Sequence, residues 1–134
     1  MKNPQPPENQ ENTLLTDLLY PSESDEPVTW VTCYLGQPEP LIVSQITDWL
    51  MLPPSVLVEE RPETDFWRVA VMEDWYDEGQ KKRAEQFQRV KQFVENQLTD
   101  RQFFRVGQVE IELYLLGKTP EGKRAGLKTK VIET

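Results

Sequence analysis

The sequence contains no histidine and only one cysteine. Without histidine, neither a serine-histidine-acid triad nor the usual zinc sites can form. A single cysteine cannot make an intramolecular disulfide. Because Cys33 lies in a run rich in valine, threonine and tyrosine, it is expected to be a small buried side chain. The commonest hydrolase designs are therefore excluded, and no cofactor is predicted.

Long apolar runs are also missing. Nowhere does the chain reach the roughly 18 consecutive apolar residues that a membrane-spanning helix needs. Residues 1–7 are rich in proline and lack the apolar segment of a secretory signal. We therefore expect a soluble cytoplasmic protein with no membrane partner.

Basic residues are too few to balance the acidic ones. The 15 lysines and arginines face 23 aspartates and glutamates, which leaves a net charge of -8. A nucleic-acid ligand is disfavoured, because binding phosphates needs clustered lysine and arginine. The natural complement of this charge is a basic protein surface, such as that of an enzyme that holds nucleic acid.

The length predicts one domain, because 134 residues can bury well over half of their unfolded surface around a single core. Residues 1–10 are mostly proline, asparagine, glutamine and glutamate, too polar to offset the cost of ordering. We therefore predict a flexible lead-in at residues 1–10 and a single domain at residues 11–134.

The first half of the chain predicts a mixture of short elements. A stripe of leucines predicts a helix that Pro21 ends, and residues 22–27 form an acidic turn before a strand at 28–35. A helix is predicted within 41–52 and a short strand at 56–60, whereas 66–72 is ambiguous between strand and helix. The leucines of the stripe are Leu14, Leu15, Leu18 and Leu19.

The second half has the clearest patterns. Apolar residues at helical spacing predict a helix from Asp77 to about Leu98. Alternation then predicts one strand at 103–116 and another that continues to 132, joined by a turn at 119–122. Helices beside a mixed or antiparallel sheet indicate an α+β sandwich. In this arrangement Lys128 and Lys130 are expected opposite Glu110 and Glu112.

Several segments of the sequence share a pattern with a known family. They are the run Asp74-Trp75-Tyr76-Asp77-Glu78, the long helix after it, the run Arg105-Val106-Gly107-Gln108-Val109-Glu110, residues 117–122, residues 130–134 and the segment Ser22-Glu23-Ser24. In these segments the sequence resembles the nuclease A inhibitor family of cyanobacteria. The resemblance is specific over most of residues 74–134 and loose between about 35 and 71.

The resemblance implies an α-β-α sandwich that inhibits a sugar-non-specific, divalent-metal-dependent endonuclease by occupying its active site. It implies that Glu23 reaches the catalytic cation of that enzyme, directly or through its water. It also implies that Trp75 and Thr134 belong to the interface. We predict that Ser22 and Ser24, beside Glu23, bind the nuclease as well. Such a protein is not an enzyme, and we expect it to be monomeric when free.

Elementary chemistry agrees with that implication. A hard divalent cation takes oxygen ligands, so a carboxylate on a rigid turn can replace the scissile phosphate. Glu23, between Ser22 and Ser24, and the carboxylate of Thr134, at the end of the last strand, are both suited to this. Nearby acids, including Asp74 and Glu133, would match a basic cleft and speed association.

Plainer interpretations of the same residues remain open. Trp75 could fasten the helix to the sheet, Glu23 could be a residue beside a helix cap, and Thr134 could have no role. The whole chain could instead be an acidic adaptor with no nuclease target. An enzyme that uses Glu110 and Glu112 as acid and base ranks last, because nothing else indicates a substrate pocket.

Overall fold

A computed structural model describes residues 13–133. Residues 13–15 are helical, and the strands and helices that follow have these bounds. They are β1 (Leu19–Tyr20), β2 (Glu26–Pro27), β3 (Thr29–Cys33), α1 (Val43–Trp49), β4 (Val58–Arg61), α2 (Glu63–Phe66), a 3-10 helix (Trp67–Ala70), α3 (Glu78–Gln97), β5 (Thr99–Val106), β6 (Glu110–Lys118) and β7 (Arg124–Ile132).

The larger sheet has five strands in the order β3-β7-β6-β5-β4, and every neighbouring pair is antiparallel. β1 and β2 pair with each other as a separate two-stranded sheet. β2 lies beside β7, where the Thr129 hydroxyl donates a hydrogen bond to the Pro27 carbonyl at 3.0 Å. The prediction of an α+β fold with a mostly antiparallel sheet is confirmed.

Both faces of the larger sheet are covered. On β6, Ile111, Leu113 and Leu115 pack into the cluster that contains the buried side of α3. Their neighbours Tyr114 and Leu116 enter a second cluster, which contains Ile46 of α1. Because successive side chains of a strand point to opposite faces, the two clusters lie on opposite sides of the sheet. The layers are therefore those of the expected α-β-α sandwich.

The long helix α3 follows its prediction closely. The side chains that it buries are Ala84, Phe87, Val90 and Val94. Leu98 alone separates the last residue of α3 from the first residue of β5. Such a short connection makes α3 run back along β5, so the two elements are antiparallel and the first turn of α3 lies towards the end of β5.

The predicted strand at 103–116 is wrong, because the segment forms two strands. β5 and β6 pair antiparallel through a turn at residues 107–109. Gly107 has φ 108°, and a Cβ atom there would meet the carbonyl oxygen of Glu110 at 2.4 Å, so the turn requires glycine. The alternation of buried residues predicted one strand because Phe103 before the turn and Ile111 after it lie on the same face. The two are an even number of residues apart, so odd-numbered positions face the same side of the sheet before and after the turn.

The first predicted helix is also too long. In the part of this segment that the structure describes, from residue 13 to Tyr20, only residues 13–15 are helical, and Leu19 lies in β1. The Leu18 carbonyl accepts a hydrogen bond from the Val28 amide at 3.1 Å, a contact between distant residues that the leucine spacing does not encode. The ambiguous segment at 66–72 begins in α2, continues as the 3-10 helix and leaves Val71 and Met72 exposed.

Other local predictions have mixed outcomes. Cys33 is buried as expected, and burial raises the pKa of its thiol. Lys130 pairs with Glu112 as predicted, but Ile132 and not a lysine lies opposite Glu110. Lys128 instead reaches diagonally to Glu112, with 3.5 Å between Nζ and Oε2.

Within residues 13–133, no helix has the length and apolar character needed to cross a membrane. The lead-in predicted at residues 1–10 lies outside the described residues. The single domain at residues 11–134 stays a prediction.

Candidate functional site

The acidic turn is a closed loop between β1 and β2. The Ser22 amide donates a hydrogen bond to Asp25 Oδ1 at 3.2 Å, and the Ser24 amide donates one to Ser22 Oγ at 3.2 Å. Asp25 has φ 46°, in the left-handed region that aspartate tolerates better than most residues. These local bonds shape the loop and leave the Glu23 side chain exposed at its tip.

A basic residue of α3 links this loop to the helix. Arg83 Nη1 lies 3.9 Å from Asp25 Oδ1, and both side chains are partly exposed. Such a pair contributes only about 0–1 kcal/mol to stability. The ion pair nevertheless locates the acidic loop, which lies against the second turn of α3. Sequence reasoning did not single out Arg83, because helical spacing does not indicate which distant segment a side chain of α3 contacts.

The start of α3 is fixed by a capping box. Asp77 Oδ1 accepts a hydrogen bond from the Gln80 amide at 2.8 Å, and the Gln80 side chain accepts one from the Asp77 amide at 2.9 Å. This arrangement provides hydrogen-bond acceptors for two backbone amides at the N-terminus of the helix. Just before the cap, the Tyr76 amide donates a hydrogen bond to the Glu73 carbonyl at 3.2 Å, which closes a turn that contains Asp74 and Trp75.

We expect Asp77→Ala to lower the free energy of unfolding by about 1 kcal/mol, because the cap hydrogen bond is lost. Asp77→Asn keeps an oxygen acceptor and should stay close to the parent protein. Urea denaturation followed by circular dichroism measures both variants. An alanine variant as stable as the parent would show that the cap contributes nothing.

Trp75 is exposed to solvent rather than packed between the helix and the sheet. Its side chain is 73% accessible, and its indole meets the ring of Tyr76 edge-on, with 4.7 Å between ring centroids. The interpretation of Trp75 as a fastener of the helix is therefore wrong. An exposed tryptophan beside a rigid helix start is the kind of residue that anchors protein interfaces.

The last described residue, Glu133, follows β7. Its amide donates a hydrogen bond to the Val109 carbonyl at 2.9 Å. Its carboxylate forms an ion pair with Arg105 of β5, with 2.7 Å between Nη2 and Oε1. The backbone is thus held in place up to the last residue before Thr134, which lies outside the described residues.

The topology brings these segments to one end of the sheet. Glu110 pairs with Ile132, so the 107–109 turn and Glu133 share that end. The first turn of α3 lies there too, because α3 runs antiparallel to β5. The Arg83 contact places the acidic loop beside the same part of α3. We call this region the acidic end and define it by Glu23, Asp74, Trp75 and Glu133.

The residues of the enzyme alternative have structural partners. The Tyr114 hydroxyl donates a hydrogen bond to Glu112 Oε1 at 3.1 Å, and Lys128 approaches the same carboxylate. Burial, followed by the charge of Glu112, raises the pKa of Tyr114, so the hydroxyl keeps its proton at neutral pH. These contacts give Glu112 a role in the sheet, and Glu110 lies exposed at the acidic end.

Among residues 13–133, no group of three or more cysteine or acidic side chains is arranged to hold a metal ion.

The fold and the site define a small acidic α-β-α sandwich with an exposed acidic loop and an exposed tryptophan at one end. The model of the nuclease A inhibitor-like protein family matches residues 8–134, nearly the whole chain. The protein therefore belongs to the nuclease A inhibitor-like family, as the sequence resemblance predicted. No curated protein gives a significant match to the chain.

Proposed function

We propose that this protein inhibits a sugar-non-specific, divalent-metal-dependent endonuclease by placing its acidic end in the active-site cleft of that enzyme. One observation carries the proposal: Glu23 lies exposed in a closed loop that an ion pair with Arg83 joins to α3, and the exposed Trp75 lies shortly before the start of that helix. The family match supports the same activity.

In this proposal Glu23 supplies an oxygen ligand to the catalytic cation of the nuclease, where the scissile phosphate would otherwise bind. Hard divalent cations prefer such oxygen ligands. Ser22 and Ser24 flank Glu23 in the interface with the nuclease, and they shape the loop through the hydrogen bonds described above. A preformed loop loses less conformational freedom on binding than a flexible one.

The other residues of the acidic end have supporting roles. Trp75 is the apolar anchor of the interface. Asp74 and Glu133 supply negative charge that complements a basic cleft, although part of the charge of Glu133 is offset by Arg105. Thr134 is assigned to the interface through the family resemblance alone. The protein acts as a monomeric cytoplasmic inhibitor and itself performs no catalysis.

The test is digestion of plasmid DNA and of RNA by a sugar-non-specific metal-dependent endonuclease, with the protein titrated through equimolar amounts. We expect both activities to disappear together at about a one-to-one ratio, because one protein blocks one active site. Digestion of the same RNA by a metal-independent ribonuclease is the control and should be unaffected, because the protein does not cover the substrate.

Unchanged digestion of both substrates, with circular dichroism showing a folded protein, would contradict the proposal for that nuclease. Binding to the nuclease without loss of activity would instead support an acidic adaptor, which meets a basic protein surface outside the active site.

A further inference from the structure

The turn between β5 and β6 carries an exposed apolar side chain next to the acidic end. Val109 is 58% accessible, and its carbonyl is the acceptor for the amide of Glu133 at 2.9 Å. On the other side of the turn, the Gly107 amide donates a hydrogen bond to the Leu57 carbonyl at 2.8 Å. Leu57 is itself 42% accessible. A continuous chain of backbone contacts therefore joins Leu57, the turn and Glu133.

This part of the surface is rigid. β5 lies between β4 and β6 in the sheet, and Val106, directly before the turn, is buried. Gly107 adopts a conformation that permits no side chain, because its Cβ position is occupied by the backbone of Glu110. A surface that is already ordered pays little conformational entropy when a partner binds.

Two acidic residues lie next to Val109. Glu110 follows Val109, Glu133 is bonded to it, and both acids are exposed. Exposed apolar residues occur elsewhere, for example Tyr34 and Met51, so exposure alone does not distinguish this pair. What distinguishes it is its position beside the acidic end, with acids at its border. Apolar contacts bordered by charged groups are the usual anatomy of a protein interface.

We propose that Leu57 and Val109 form an apolar ledge that packs against the nuclease at the border of its active-site cleft, beside a basic part of that enzyme. This inference rests on the proposed function and extends the interface beyond the acidic loop, Trp75 and the end of the chain. The acidic residues of the acidic end speed association with the basic cleft, an effect that salt screens. The ledge instead supplies apolar contact area, whose contribution does not depend on salt screening.

The test is the inhibition constant of Leu57→Gln/Val109→Thr, in which both replacements keep nearly the size of the original side chain. We expect inhibition to weaken about tenfold, because two apolar contacts at the interface become polar. Val109→Thr alone should weaken it about threefold. The loss should be the same at low and high salt, since the contact is apolar.

The matched control is Val43→Thr. Val43 is 42% accessible and is the first residue of α1. Nearby, the Leu41 amide donates a hydrogen bond to the side chain of Gln102, which lies in the first half of β5. Val43 is therefore far from the acidic end. This variant should inhibit as well as the parent. Thermal melts of all three variants should agree with that of the parent to within a few degrees, because all of the replaced side chains are exposed.

Full potency of the double variant, with a parent that inhibits, would overturn the ledge and leave the proposed function intact. A parent that dimerises through the ledge, shown by a lower mass of the double variant in sedimentation and by unchanged inhibition, would also overturn it. A folded parent that inhibits no metal-dependent nuclease would overturn the proposed function and this inference with it.

Discussion

Replacing Glu23 by glutamine is expected to weaken inhibition about a hundredfold, which corresponds to about 3 kcal/mol of binding free energy. Glutamine keeps the size of the side chain but is neutral, and a neutral amide is a poorer ligand for a divalent cation than a carboxylate. The melting temperature should be unchanged, because Glu23 is exposed at the tip of a loop.

Glu121→Gln is the matched control for this variant. Glu121 is exposed in the turn between β6 and β7, at the opposite end of the sheet, and the substitution changes the net charge by the same amount. If Glu121→Gln inhibits fully and Glu23→Gln inhibits poorly, the position of the acid and not the net charge of the protein determines inhibition. Equal potency of Glu23→Gln and the parent would end the proposal that Glu23 is a cation ligand.

Removing the metal from the nuclease separates a contact with the cation from other roles of Glu23. Binding of the parent and of Glu23→Gln should be measured with the metal-loaded and with the metal-free enzyme. If Glu23 meets the cation, the difference between the two proteins shrinks once the metal is gone, since the two changes remove the same interaction. An undiminished difference would place the contact of Glu23 elsewhere in the cleft.

Trp75→Ala is the second variant with a large expected effect. Loss of an interface tryptophan typically costs about 2 kcal/mol or more, so inhibition should weaken at least about thirtyfold. Because 73% of the side chain is accessible, the fold should lose little, and the thermal melt measures this directly. Circular dichroism and the inhibition constant together separate binding from folding.

Tyr34→Ala is the control for the tryptophan. Tyr34 is 75% accessible and follows β3, whose last residue Cys33 pairs with Arg124 at the end of the sheet opposite the acidic end. This variant removes a comparable aromatic ring and should inhibit normally. A Trp75→Ala protein of full potency, or one that has lost several degrees of melting temperature, would contradict the role of Trp75 as an interface anchor.

Part of the fold could be predicted because its pattern is local. The buried stripe of α3 repeats at helical spacing, and the end of α3 at Gln97 agrees with that pattern. β7 alternates as expected, with Leu127, Thr129 and Val131 buried. In these segments the apolar or polar character of each residue indicates which face it occupies, so the sequence is sufficient to predict the helix and the strand.

The division between β5 and β6 could not be read from alternation. The turn at residues 107–109 preserves the parity of the buried positions, so one long strand and two paired strands have the same pattern. The signals that favour two strands were Gly107 and a predicted length of 14 residues, longer than the usual 3–10.

The sequence by itself determined the excess of acid, the absence of histidine chemistry, the long helix and the antiparallel end of the chain. The family resemblance singled out Glu23 and Trp75. Only the tertiary structure decided that Trp75 is exposed and that Val109 contacts Glu133. It also brought the acidic loop against α3 through Arg83. The physical reason is that these contacts join residues far apart in the chain, and local periodicity carries no information about which distant segments meet at the same end of a sheet.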